Sequence, residues 1–207
     1  MLKNFAWWTA AALVAPGCNV TLPDHDPPPA KHTPPTAEQV PPTTNPPEPA
    51  PSRPAVAPEV ITAAEQARGT LAGKQQAADR LRAGVTGDEL WAAVYVYSVD
   101  GDDPALLIPL LSGPDASIRV LAAGGLLHMG DRAGFSALIA ETANPATLTG
   151  SEPPQTIGEV AAILLGMASG QRIDITPTAA NAQLWRDWYA ANSDALKFDP
   201  GKGWTVP

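Results

Sequence analysis

The chain has 207 residues, 24 of them proline and only one cysteine, with a formal net charge of −8. One cysteine excludes an internal disulfide, and the acidic balance argues against nucleic acid and anionic lipid head groups as partners. Fourteen of the prolines fall between Pro23 and Pro58, so the sequence divides into residues 1–17, 18–58 and 59–207, and only the last can build a core.

The first part reads MLKNFAWWTAAALVAPG, with a cation at Lys3 and an apolar run over residues 5–15. Such a run followed by small residues is the pattern of an export signal peptide. As a helix it would rise about 16 Å, well short of a hydrocarbon core of about 30 Å, so a permanent membrane span is not expected. Cys18 follows directly, in Leu13-Val14-Ala15-Pro16-Gly17-Cys18. That stretch resembles the lipobox of bacterial lipoproteins. The resemblance implies that Cys18 receives a diacylglyceryl group and becomes the first residue after cleavage; Gly17 is the small residue required before it. Two or three acyl chains, palmitate among the usual ones, would anchor the protein stably where one would not.

Residues 19–58 contain almost no large apolar side chain. Their prolines fix φ and push preceding residues into extended geometry, so the stretch is expected to be a disordered, semi-rigid polyproline spacer. At about 3.1 Å per residue, its roughly 36 residues from Pro23 to Pro58 would reach on the order of 110 Å. His25 and His32, with Asp24 and Asp26 nearby, invite a metal, but a chain without preorganisation is a poor ligand set. No cofactor or metal is expected.

Beyond Pro58 the apolar spacing becomes three and four, which predicts an all-α domain. A first helical region covers 59–83, weakened at Gly69 and Gly73. Thr86 and Glu89 have capping-box spacing before a second helix over 89–98. Asp103-Pro104 caps a third through residue 111, Asp115 a fourth to 128 and Asp131 a fifth to 143. Thr156 and Glu159 box a sixth to 169, and Thr176-Pro177 opens a seventh to 192. No strand is expected.

One repeat unit stands out. Ile118-Arg119, the small pair Ala122-Ala123, Leu126, then Gly130-Asp131 and Phe135, Leu138 and Ile139 closely resemble the bacterial HEAT-like repeat. A degenerate copy lies earlier, where Leu90, Val94, Leu107 and Leu110 take the equivalent places. Another lies later, at Ile157, Ala161, Ala162 and Leu165, with residues 144–154 as an inserted loop. The resemblance implies a short α-solenoid of HEAT-like helix pairs over roughly residues 86–170. Small residues at 122–125 would let helices approach closely, and Arg119 stands where such repeats carry a bracing arginine. The tail holds Trp185, Trp188, Tyr189, Leu196, Phe198 and Trp204, which resembles the close of other exported HEAT-type proteins and would cap the stack.

No nucleophile, acid and base with the spacing of a catalytic set appears. His128 is expected to satisfy carbonyls at a helix end. Asp100-Gly-Asp102-Asp103 is like a calcium loop, but the bidentate Glu downstream is missing. HEAT-like repeats also occur in bilin lyases, yet a shared fold does not carry the reaction with it. The nearly all-apolar second helix offers Trp91 and Tyr95, four apart, as core residues or as aromatic anchors for a protein partner. The expectation is a non-enzymatic, lipid-anchored scaffold or adaptor of the bacterial envelope, held to the membrane through Cys18 and binding another envelope protein, with no small-molecule substrate. The alternative is a wall- or carbohydrate-binding module that uses Trp185 and Trp204.

Overall fold

The computed structural model describes residues 55–206; the signal segment, Cys18, His25, His32 and most of the proline-rich stretch lie outside the described residues. The described chain is mainly helical. In order come α1 (Pro58–Ala67), α2 (Leu71–Ala83) and α3 (Gly87–Asp100), two 3-10 turns (Pro104–Leu106 and Ile108–Ser112), α4 (Ala116–His128), α5 (Ala133–Glu141), α6 (Ile157–Ser169) and α7 (Ala179–Asn192). A small antiparallel hairpin follows, β1 (Lys197–Asp199) and β2 (Gly203–Thr205). Packing begins slightly before the expected boundary. Val56 is buried, and the Ala57 N–H donates to Asp88 Oδ2 at 3.3 Å.

The helix boundaries follow local chemistry. Asp115 accepts from the Ser117 and Ile118 N–H groups and α4 ends at His128, as expected. Thr156 and Glu159 form the reciprocal capping box of α6. The first helical region, by contrast, is two helices. Arg68 is extended and Gly69 has a φ of 76°; the Thr70 hydroxyl then accepts from the Gly73 N–H at 2.9 Å to start α2. A Cβ at Gly73 would lie 2.1 Å from the Ala67 carbonyl oxygen, so the tight turn requires glycine there. Thr86 makes no side-chain cap bond, and α3 starts at Gly87 with a φ of 60°, a first residue too far from helical geometry for the reciprocal box.

The third expected helix is instead the pair of 3-10 turns. Asp103 caps the first, accepting from the Ala105 N–H. Pro109 lacks an N–H and its ring would clash with a carbonyl one turn earlier, so a continuous α-helix cannot pass it. The hairpin corrects the expectation of no strands. Phe198 pairs with Trp204 across it, ring centroids 5.2 Å apart, over a turn containing Asp199, Pro200 and Gly201.

Packing runs along the chain. Each of α2 to α5 touches the helices before and after it in sequence, and α1 also packs on α3, α4 on α6 and α5 on α7. Two apolar clusters meet at α4. Ile118, Leu121, Ala122 and Leu126 join Trp91, Val94 and Tyr97 of α3; Val120, Ala123 and Leu127 join Phe135, Leu138, Leu165 and Trp185. A helix apolar on both sides is buried on both. At Gly125, a Cβ would stand 2.7 Å from the Ser98 Cα, so α3 and α4 are in near backbone contact there.

Candidate functional site

Trp91 and Tyr95 are one turn apart on α3, and their rings stack at 5.0 Å with an 11° interplanar angle. The stack is a structural element more than an exposed anchor pair. Trp91 is 2% exposed, because the loop after α5 folds over it: a Cβ at Gly150 would lie 2.7 Å from Trp91 Cζ2. That loop is pinned by the Thr149 N–H donating to Ser117 Oγ at 3.1 Å, and by Leu148 N–H to the Gln155 carbonyl at 2.8 Å. Tyr95 is half-buried. Its hydroxyl accepts from Arg68 Nη1 at 2.8 Å, and the same guanidinium sits 5.4 Å from its ring centroid. Of the two expected anchors, therefore, only Tyr95 keeps part of its ring exposed.

The acidic run that begins at Asp100, the last residue of α3, braces the fold. Asp100 accepts from the Gly69 N–H at 2.8 Å and Asp102 from Lys74 Nζ at 2.6 Å. The hydrogen bond from Lys74 holds the Asp102 carboxyl below the usual carboxylate range. Arg119 performs the expected bracing. It donates to Glu141 Oε1 at 2.6 Å and to the Gly113 and Pro114 carbonyls at 2.8 and 3.0 Å. Asn144 Nδ2 satisfies the other oxygen of Glu141, which is only 7% exposed. His128 is the half-buried last residue of α4.

The C-terminal tryptophans are turned inward. Trp185 is 0% and Trp204 8% exposed, and Trp204 Nε1 donates to the Leu127 carbonyl at 2.9 Å. Phe135 lies among Trp188, Tyr189 and Trp204, with centroids 6.0, 5.6 and 5.1 Å away. Arg132 adds a tie to the carbonyls of Ser193 and Leu196. Neither Trp185 nor Trp204 offers a face on which a sugar ring could stack.

A concave feature lies at the other end, where sequence reasoning singled out nothing. Helices α1 and α2 approach at Gly73 and Ala67 and then diverge above α3. The opening is a groove of about 430 Å³, walled by Val60, Ala63, Gly73 and Ala77 and floored by Ala92 and Val96. Its rim carries Glu59, Asp88 and Glu89 against the single cation Arg80. The signal was present in the run of alanines at 63, 64, 67, 77, 92 and 93. Small residues read as good helix formers, however, and do not announce a gap.

Among the described residues, no group of three or more His, Cys, Asp or Glu could hold a metal ion, and no helix is long and apolar enough to cross a membrane. Comparison with protein-family models, with curated proteins and with solved structures found no match.

Proposed function

We propose that this chain is a non-enzymatic scaffold or adaptor of a bacterial envelope, anchored by lipid on Cys18 and carrying a short solenoid of HEAT-like helix pairs on a proline-rich stalk. The observation that carries the reading is the order of packing. Helices α4 and α5 form one pair, and the next two helices follow it first on first and second on second, α6 on α4 and α7 on α5. In a stack built this way each pair is too small to bury its own apolar face, and the shared core of α4 supplies what one pair lacks. The rival reading, a wall- or carbohydrate-binding module, is disfavoured by the burial of Trp185 and Trp204. The stalk would hold the domain clear of the membrane, and recognition would fall to helix surfaces of the described domain.

The test is crosslinking in intact cells with mass spectrometry of what the full-length protein captures, compared with a Cys18→Ala form. One envelope protein in near-equal amount, lost with the anchor, is the expected result. Recovery of wall fragments alone would overturn the adaptor reading. Intact mass of the membrane-extracted protein checks the anchor: an unacylated N-terminus at Cys18, or one elsewhere, removes the lipoprotein part.

A further inference from the structure

We propose that the groove between α1, α2 and α3 is the seat for an amphipathic helix of the partner. That helix would carry large aliphatic side chains on one face and cationic side chains at the end that reaches Glu59, Asp88 and Glu89. The inference deepens the adaptor reading and rests on it.

Three features select this occupant. The first is the shape of the lining. Val60, Ala63 and Ala67, the lining apolar residues that remain accessible, have short side chains above the core residues Ala77 and Ala92. They leave shallow holes between helix backbones, and the complementary knobs are Leu-sized residues spaced three and four apart on a helix. The second is the lack of an aromatic ring among the lining residues. Proline-rich segments dock in aromatic-lined grooves, so the lining does not suit the chain's own residues 19–54 or another polyproline ligand. The third is charge. Three carboxylates face one guanidinium at the rim, which favours a basic helix end and opposes an acidic one. The two ends of the domain also differ. At the C-terminal end, Trp204 of the hairpin closes over the second core cluster. At the N-terminal end, α1 and α2 diverge, and among the described residues no element lies across them.

The experiment uses the full-length protein in detergent and two synthetic helical peptides of about 18 residues, five turns. Both carry leucines at helical spacing of three and four; one ends in three lysines and the other in three glutamates. Binding is read by fluorescence anisotropy. The lysine peptide is expected to bind about tenfold more tightly, the combined effect of a few exposed ion pairs, and the preference should shrink in a Glu59→Gln, Glu89→Gln form. Ala63 is exposed, so Ala63→Trp should fill the groove and abolish binding with the thermal midpoint unchanged. If that variant does not fold, Gln76→Trp on the exposed lip replaces it. A photocrosslinker at Gln76 should capture the peptide.

Equal affinity for the two peptides, or binding indifferent to the filled groove, overturns the proposal. Crosslinks from Gln76 to residues 19–54 or to a second copy, with the peptide excluded, also overturn it. A partner captured in cells together with no peptide binding rejects the groove and leaves the adaptor reading standing. Peptide binding with no captured partner does the reverse.

Discussion

Adjacent glycines in α4 show how one atom's surroundings decide the sign of a substitution. Replacing glycine by alanine inside a helix gains about 1 kcal/mol in propensity. At Gly124 the added methyl would meet only the end of the Leu164 side chain, at 3.0 Å. At Gly125 it would meet the Ser98 Cα at 2.7 Å, which is backbone and cannot swing aside. Gly124→Ala is therefore expected to leave stability unchanged or slightly raised. Gly125→Ala should lower it by about 1–3 kcal/mol, as overpacking does; thermal unfolding of the two variants checks both. The sequence marked both as small residues permitting close approach, and that reading holds for α3 against α4. It could not rank them, because the difference lies in which neighbour each one faces. Trp91 carries the same lesson. Its spacing with Tyr95 was legible, but its burial depends on a loop some sixty positions later in the chain, with Gly150 against its ring.

Among the elements, the C-terminal hairpin and α7 were the least legible and the most consequential. Three-residue strands give too short an alternation to detect, although Asp199, Pro200 and Gly201 between two aromatic residues are turn chemistry. The hairpin brings Trp204 onto α4, where its indole N–H donates to the buried Leu127 carbonyl. Trp185 on α7 is equally enclosed, yet among the described residues its Nε1 has no hydrogen-bond partner. Both lose a similar volume when changed to phenylalanine, but only Trp204→Phe removes a buried hydrogen bond, leaving the Leu127 carbonyl with the longer one from the Gly130 N–H. Trp204→Phe is expected to be the more destabilising of the two by about 1–2 kcal/mol in urea denaturation. Equal losses would mean that the Leu127 bond contributes nothing. The expected third helix failed for a local reason, Pro109, whereas α4 and α6 were placed correctly from their caps and apolar spacing alone.

At the scale of the whole molecule, α4 contributes buried residues to both apolar clusters, so the two are expected to unfold as one cooperative unit. Unfolding followed by tryptophan fluorescence should report the first cluster in a form that keeps Trp91 alone, and the second in one that keeps Trp185 and Trp204. Within each form, the fluorescence transition and that of helical circular dichroism are expected to coincide; midpoints that separate within one form would show two independent units. The amino-acid sequence by itself determined that residues 59–207 are mainly helical. It also determined where α4 and α6 begin and end, because caps, proline positions and spacing act within a few residues. Only the tertiary structure decided that Trp91, Trp185 and Trp204 are core residues and that α1 and α2 diverge into an alanine-lined groove. Burial and cavities arise from contacts between segments far apart in the chain, and no local pattern encodes which face of a helix meets which neighbour.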